Sequence, residues 1–160
     1  MPAKRPWFEV RRSRIQGKGG FALRTIPAGT RIIEYAGERI TSEEADRRYD
    51  DAKARRHHTF LFDLDGDHCI DAGRDGNDAR FINHSCEPNC EAVLEDGRVF
   101  IHALARIAPR AELTYDYAYV VSGPIDAQMR RLYVCKCGAP KCRGTILAPA
   151  KKRGTRKNEK

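Results

Sequence analysis

The sequence contains no apolar stretch long enough to cross a membrane. Its uninterrupted hydrophobic runs fall far short of the roughly 20 residues that a bilayer-spanning helix needs. The N-terminus, Met1 to Arg14, is basic and lacks the apolar core of a secretory signal. We therefore expect a soluble intracellular protein without a membrane partner.

Few long stretches are free of glycine and proline. The 13 Gly and 8 Pro are spread through 160 residues, so they interrupt nearly every segment before a long helix could form. No internal repeat occurs, and low complexity is confined to the final ten residues. A helical bundle is therefore disfavoured. With 41% hydrophobic residues, the chain can form the core of one globular domain with tails.

Acidic residues are scarce at both ends of the chain. Residues 1–24 carry seven Lys or Arg against one Glu, and residues 130–160 carry eleven against one Glu. Because the total charge is +8, the segment between them carries −8. This asymmetry fits an acidic body that attracts a cationic substrate and basic ends that contact a polyanion such as DNA. The alternative for residues 151–160 is a solvated, disordered tail.

Six cysteines bear on both compartment and metal binding. Cys135, Cys137 and Cys142 form a C-x-C-x4-C pattern, and two cysteines one residue apart rarely pair with each other. Thiolates at this spacing favour Zn(II), whose structural sites take four nitrogen or sulfur ligands. The fourth ligand must come from elsewhere, and the candidates are the five histidines and Cys69, Cys86 and Cys90. Three disulfide bridges are the alternative, disfavoured because no signal peptide directs the chain to an oxidising compartment.

Short apolar segments separated by turns predict a mainly β fold with one or two short helices. Thr41-Ser42-Glu43-Glu44 has the spacing of a capping box and predicts a helix at about residues 42–54. Asp65-Gly66 and Asp96-Gly97 lie between alternating segments and predict two hairpins. The predicted strands are residues 8–10, 20–23, 31–35, 60–64, 68–71, 92–95, 98–103 and 112–117.

Three short segments carry candidate chemistry. The glycines at 17, 19 and 20 allow close approach of the backbone to a ligand or to another strand, a tight hairpin turn being the alternative. Asn83-His84-Ser85-Cys86-Glu87-Pro88-Asn89 is dense in polar groups for a loop, and His84 is a general base, a metal ligand or a structural histidine. Strand periodicity places Tyr115 and Tyr117 on one face, as catalytic groups or as an ordinary aromatic core stripe.

These segments, in this order and followed by C-x-C-x4-C, resemble the SET-domain protein-lysine methyltransferases with a post-SET zinc motif, most closely the mixed-lineage-leukaemia (trithorax) type. The resemblance runs from about Gly17 to Ile146. It implies small twisted sheets, few short helices and a knot-like core in which the C-terminal part threads under a loop. The implied divisions are a basic arm 1–6, the SET domain 7–119, a linker and zinc-bound post-SET segment 120–147, and a basic disordered tail 148–160.

The resemblance implies methyl transfer from S-adenosyl-L-methionine to a protein lysine. Phe60 stands where relatives have a tyrosine beside the donor, so one hydrogen bond is expected to be absent there. Cys86 is the implied fourth ligand of one structural zinc ion, beside Cys135, Cys137 and Cys142. The residues implied to hold the donor, partly through backbone groups, are Lys18, Gly19, Phe60, Asn83, His84, Lys136 and Ile146.

Three tyrosines are the implied catalytic residues. Tyr117 matches the position that orients the lysine amine, and Tyr35 matches a second tyrosine of the lysine channel. A free lysine has a pKa near 10.4, so desolvation in an aromatic channel should raise the small neutral fraction. Tyr115 stands where relatives carry Phe or Tyr, and its hydroxyl leaves less room for added methyl groups. We therefore expect mainly mono-methylation, with di-methylation second.

The expected substrate and biological setting are inferred from the acidic first hairpin and from the family resemblance. The acidic residues of the first hairpin (Asp63, Asp65, Asp67 and Asp71) either recognise basic residues beside the target lysine or form a solvated turn. Because no cysteine-rich segment precedes Gly17, we expect a minimal member of a kind found in bacteria, viruses and eukaryotes. The expected target is a histone or another basic protein, in the cytoplasm or in the nucleus on chromatin, depending on the source. The need for an activating partner and the oligomeric state stay open.

A different class of function remains as the alternative. The chain would then be a catalytically weak, zinc-stabilised module that holds chromatin or nucleic acid through its basic ends. The intact tyrosine and Asn-His-Ser-Cys motifs favour the enzyme.

Overall fold

Two β-sheets form the protein in the computed structural model, which describes residues 4–49, 60–121 and 124–149. The larger sheet consists of β1 (Phe8–Arg12), β2 (Lys18–Ala22), β3 (Arg31–Glu34), β7 (Asn83–His84), β8 (Cys90–Glu95), β9 (Arg98–Ala103) and β10 (Glu112–Tyr115). The smaller sheet consists of β4 (Glu38–Thr41), β5 (Leu61–Asp63) and β6 (His68–Asp71). The helices are α1 (Ser42–Arg48), α2 (Ala127–Leu132) and a 3-10 turn (Asp78–Phe81). This confirms the predicted mainly β fold with few short helices, whereas the knot-like threading stays a prediction.

Strand β10 lies inside the larger sheet, whose order is β1-β2-β10-β8-β9-β3, with β7 also paired to β10. It runs antiparallel to β2 and parallel to β7 and β8, which sets Tyr115 beside His84 and Cys90. The prediction that this strand continues to residue 117 was wrong. The strand ends at Tyr115 because Ala118 adopts a left-handed conformation (φ 44°) and donates its N–H to the Asp116 carboxylate.

Both predicted hairpins are confirmed. In the first, β5 and β6 pair Asp63 with Cys69, and in the second, β8 and β9 pair Glu95 with Arg98. Asp96 and Gly97 both have positive φ, at 48° and 75°, as a two-residue type I′ turn requires. Strand β4 was not predicted from the sequence.

Helix α1 begins where the capping pattern predicts but ends earlier. The Thr41 hydroxyl accepts the N–H of Glu44, so the predicted N-cap is confirmed. The predicted end at residue 54 was wrong, because Tyr49 is already extended and its hydroxyl bonds to Asp71. Residues 50–54 of the predicted helix lie outside the described part of the chain.

The apolar side chains form a main core and smaller satellites. The largest cluster lies along the larger sheet and includes Ile82, Ile101 and Leu113. A separate cluster in residues 119–149, which we call the C-terminal segment, is built on Leu132, Tyr133 and Leu147. Among the described residues, no helix has the length and apolar character needed to span a bilayer.

Candidate active site

A cavity of about 820 Å³ opens where the two sheets, α1 and the C-terminal segment meet. The three predicted catalytic tyrosines, Tyr35, Tyr115 and Tyr117, line it together. All predicted donor-binding residues except Gly19 also line it: Lys18, Phe60, Asn83, His84, Lys136 and Ile146. Tertiary structure thus brings residues 18 and 146 to one cavity.

The hydroxyl groups of these three tyrosines differ in their partners. Tyr117 donates to the Ile82 carbonyl at 2.7 Å, and Tyr35 donates to the Phe60 carbonyl at 3.0 Å. Among the described residues, no group bonds to the Tyr115 hydroxyl, although the side chain is only 5% exposed. The Tyr115 and Tyr117 rings lie 4.8 Å apart. The oxygen of Tyr117 therefore keeps its lone pairs for a ligand, and the Tyr115 hydroxyl keeps both donor and acceptor capacity.

Burial keeps the tyrosines protonated. It raises the pKa of Tyr35, Tyr115 and Tyr117 well above the ordinary value, because a phenolate in this apolar setting would lose its hydration. Neighbouring tyrosines add to the effect, since Tyr117 raises the pKa of both Tyr35 and Tyr115. At neutral pH all three side chains act as phenols, as hydrogen-bonding groups and not as bases.

Both ring nitrogens of His84 have hydrogen-bond partners. Its Nδ1 accepts the backbone N–H of Tyr117 at 3.0 Å, and its Nε2 lies 3.4 Å from the Cys86 sulfur. With Nδ1 as acceptor, the neutral ring carries its proton on Nε2 and directs it at that sulfur. Burial lowers the pKa of His84 to about 4, so the ring is neutral at pH 7. Of the three predicted roles, the structural one fits this geometry, because both ring nitrogens are engaged.

The glycine-rich turn is held by a partly buried polar network. The Asn83 amide donates to the Lys18 carbonyl at 2.8 Å and to the Glu112 carboxylate at 2.9 Å, and Ser13 donates to that carboxylate at 2.7 Å. A Cβ on Gly19 would lie 2.2 Å from a carboxylate oxygen of Glu112. The close approach at Gly19 is therefore to Glu112, and this glycine does not line the cavity.

Aromatic rings and cations form the wall beside Lys18. The Phe60 and Phe81 rings meet edge to face at 5.9 Å, and the Lys18 amine lies 5.3 Å from the centre of Phe81. The guanidinium of Arg80 lies 4.7 Å from the Phe81 ring and donates to the Ala72 carbonyl. Sequence reasoning missed Arg80 and Phe81, although both lie within three residues of the Asn-His-Ser-Cys motif.

Four cysteines converge at the edge of the cavity. The sulfurs of Cys86, Cys135, Cys137 and Cys142 all lie within 4.8 Å of one another, with Cys86 at 3.8 Å from Cys135 and 3.9 Å from Cys142. A zinc tetrahedron with Zn–S bonds of about 2.3 Å has edges of about 3.8 Å, so the donor set fits Zn(II). The coming together of these four residues is as predicted. All six cysteines are free, so the alternative of three disulfide bridges is wrong.

Backbone amides point at the sulfurs of this cluster. The N–H of Arg143 points to the Cys86 sulfur at 3.3 Å, and the N–H of Gly144 points to Cys142 at 3.3 Å. Such donors stabilise anionic sulfur. With four ligands filled, a bound zinc would be structural, and it would fix the C-terminal segment to the strand that carries His84.

The acidic residues of the first hairpin have separate roles. Asp71 is fully buried, accepts from Arg48, Tyr49 and the backbone of Gly73, and does not line the cavity. Asp65 accepts two backbone N–H groups of the turn, as the structural alternative predicts. Asp63 lines the cavity, and Asp46 from α1, which sequence reasoning missed, lines it too.

Helix α2 was also missed. It places Met129 and Leu132 in the cavity wall, and Asp126 caps it by accepting the N–H of Met129 at 2.8 Å. The helix has six residues, which are too few to show a periodic apolar pattern. The only signal was Asp126, a favoured N-cap residue.

Comparison with known proteins finds a matching family and several similar proteins. A family model for the SET domain matches residues 17–118. The chain is 41% identical over 138 residues to the histone-lysine N-methyltransferase trithorax of Drosophila virilis, and 42% identical over 138 residues to the human histone-lysine N-methyltransferase 2B. It is 41% identical over 142 residues to the H3 lysine-4 specific histone-lysine N-methyltransferase of Saccharomyces cerevisiae.

These matches cover the same share of this chain and little of each relative. They include 84% of the present chain but only 3%, 5% and 13% of the fly, human and yeast proteins, respectively. The similarity therefore concerns one domain of much longer proteins. On the match over residues 17–118, the chain belongs to the SET domain family.

Proposed function

We propose that this chain transfers a methyl group from S-adenosyl-L-methionine to the side-chain nitrogen of a protein lysine. The observation that carries the proposal is the Tyr117 hydroxyl, which donates to Ile82 and so presents only lone pairs to an aromatic cavity. Three relatives that are about 40% identical are named histone-lysine N-methyltransferases, which supports the same reaction class.

The donor would supply a methyl group on a positively charged sulfur, which needs no further activation. The chain's own task is then to present a neutral amine in line with that carbon. The Tyr117 oxygen would accept an N–H from the amine and orient its lone pair. The aromatic walls of the cavity favour the neutral amine by excluding water. His84 is not a candidate base, because both of its ring nitrogens are engaged.

The donor would occupy the side of the cavity formed by the glycine turn and the C-terminal segment. The cavity volume of about 820 Å³ is typical of sites for molecules of this size. The residues we propose to hold the donor are Lys18, Phe60, Lys136, Ile146 and the backbone of Asn83 and His84. Because the Asn83 amide holds the turn, its backbone carries that role.

Mono-methylation is the proposed main product, with di-methylation second. The Tyr115 hydroxyl has no hydrogen-bond partner among the described residues, so it can hold a water molecule or the amine. A group held there occupies the space that a second or third methyl would need.

The proposed target is a histone or another basic protein. Asp46 and Asp63 line the cavity with negative charge, which favours a peptide with basic residues beside the lysine. The names of the relatives point to histones for those proteins.

The first experiment is to incubate the purified protein with S-adenosyl-L-methionine, histones and a lysine-rich lysate, and to map methyl-lysine by mass spectrometry. We expect transfer by the wild type and a loss of at least about a hundredfold in kcat for Tyr117→Phe, with donor affinity almost unchanged. Tyr49 also lines the cavity, but its hydroxyl bonds to the buried Asp71, so Tyr49→Phe serves as the matched control, with kcat within about threefold. Full activity of Tyr117→Phe would refute the role given to that hydroxyl.

A nucleic-acid contact is the second candidate function, and the β1–β2 hairpin favours it. Arg12, Arg14 and Lys18 are exposed there, and neither the Arg12 nor the Arg14 side chain has a hydrogen-bond or ion-pair partner among the described residues. Residues 151–160, the other proposed contact, lie outside the described part of the chain. Arg12→Ala with Arg14→Ala should weaken DNA binding and lower its salt dependence by about two counterions. Binding that is insensitive to salt and to these changes would exclude the contact.

A further inference from the structure

The C-terminal segment has an apolar core of its own, so its attachment to the larger sheet depends on other contacts. Its cluster of Leu132, Tyr133 and Leu147 is separate from the main core. Among the described residues, the polar contacts that join it to the sheet include those at the Cys86 sulfur, at Glu87, which accepts the N–H of Lys141, and at Asp116. The last of these lies directly beside Tyr117 in the chain.

Arg143 makes this contact with both arms of its guanidinium. Its Nη1 lies 2.9 Å from Oδ2 of Asp116 and its Nη2 lies 3.0 Å from Oδ1, the bidentate geometry in which Arg–carboxylate pairs are strongest. Nη2 also donates to the Leu147 carbonyl at 3.1 Å, and the backbone N–H of Arg143 points to the Cys86 sulfur. Arg143 thus contacts Cys86 of the cluster, Leu147 near the end of the C-terminal segment, and Asp116 directly after β10.

Asp116, the partner of Arg143, also bonds to the backbone directly after Tyr117. Its Oδ1 accepts the N–H of Ala118 at 2.9 Å, and Ala118 has a φ of 44°, a conformation that is unfavourable for alanine. The carboxylate therefore stabilises the bend that follows β10. Across this bend the N–H of Tyr117 is fixed by His84, and its hydroxyl reaches Ile82.

We propose that the ion pair between Arg143 and Asp116 is a positioning pair, which couples the folding of the C-terminal segment onto the sheet to the orientation of the Tyr117 hydroxyl. When the segment lifts, Asp116 loses its partner and the bend at Ala118 relaxes. The site then transfers methyl groups only while the C-terminal segment, which lines the cavity, is in place. The catalytic part of this inference rests on the proposed methyl transfer.

A double-mutant cycle with Arg143→Ala, Asp116→Asn and the double variant tests the coupling. We expect each single change to lower kcat by roughly tenfold or more at unchanged zinc content, and the double variant to lose no more than the worse single variant. Arg143→Lys, which keeps the charge but not the fork, should recover part of the loss. Arg98→Ala removes another bidentate pair, with Glu34, whose residues do not line the cavity, and should leave kcat unchanged.

Hydrogen exchange gives a readout that does not depend on turnover. In Arg143→Ala the amides of Tyr117 and Ala118 should exchange roughly tenfold faster, whereas Arg98→Ala should leave them unchanged. Unchanged exchange at these amides, or additive losses of kcat in the cycle, would overturn the inference. If the wild type transfers no methyl group, the proposed function fails and the exchange result alone decides this inference. If Arg143→Ala does not fold, Asp116→Asn decides it in the same way.

Discussion

At the scale of single residues, the chemistry available in the cavity depends on which of its polar groups already have hydrogen-bond partners within the protein. Tyr35 and Tyr117 donate their hydroxyl protons to backbone carbonyls, and His84 has both ring nitrogens occupied. The Tyr115 hydroxyl is the exception among these four side chains. The sequence predicted that the three tyrosines matter, but the direction of each hydrogen bond depends on carbonyls far away in the chain.

Replacing Tyr115 tests the proposed product specificity. Tyr115→Phe removes a hydroxyl that bonds to no described residue, so the fold should tolerate it within about 1 kcal/mol. The space released should shift the product from mono- toward di- and tri-methyl-lysine. Mass spectrometry of a peptide substrate over time measures the distribution. An unchanged distribution would contradict the role of this hydroxyl.

The raised pKa values of the buried tyrosines predict a loss of stability in alkali. A tyrosine in the unfolded chain ionises near pH 10, whereas burial raises the pKa of Tyr35 and Tyr115 in the folded protein. Their contribution to stability is complete below about pH 10 and declines as the pH rises further, by up to about 1.4 kcal/mol per pH unit for each tyrosine. Urea unfolding of the wild type and Tyr115→Phe from pH 8 to 11 measures it. A variant with the same slope as the wild type would disprove the contribution of Tyr115.

At the scale of elements, local signals placed the turns and caps, and packing decided the rest. Asp96-Gly97 and the Thr41 cap are set by backbone geometry within four residues, so the sequence predicted them. The end of α1 depends on Tyr49, whose hydroxyl bonds to Asp71 of the neighbouring sheet. Strand β4 exists through its pairing with β6, a contact that no local pattern encodes.

The glycine turn between β1 and β2 offers a test at this scale. Glu112→Ala removes the acceptor shared by Ser13 and Asn83, which frees the turn that carries Lys18. We expect the donor dissociation constant to rise about three- to tenfold with little change in kcat, as the loss of one or two hydrogen bonds implies. Calorimetric titration with the donor measures it. Glu112→Gln keeps an oxygen acceptor and is the control, so equal weakening by both variants would contradict this reading.

At the scale of the whole molecule, the cysteine cluster joins two parts that have separate cores. Cys86 follows β7 of the larger sheet, whereas Cys135, Cys137 and Cys142 belong to the C-terminal segment. Lys136 and Ile146 of that segment line the cavity. A metal at this point would therefore be coupled to donor binding and to the folding of the segment.

Metal removal tests this coupling. Metal analysis should find one zinc per chain, and a chelator should increase hydrogen exchange in residues 135–146 and weaken donor binding by about tenfold or more, with the larger sheet retained. Cys137→Ser should lose the metal, whereas Cys69→Ser, outside the cluster, should keep it. Active, donor-binding protein without zinc would refute the structural role.

The sequence by itself determined the fold class, the turns, the tyrosines and the cysteines, because hydrophobic alternation, turn chemistry and ligand type are local properties. It also carried the resemblance that identifies the family, through two motifs and a cysteine pattern. Only the tertiary structure decided that Gly19 makes room for Glu112, that Asp71 is buried against Arg48, and that Arg143 reaches Asp116. Each of these contacts joins residues more than 20 positions apart, so their geometry follows from the packing of the sheets and not from neighbouring residues.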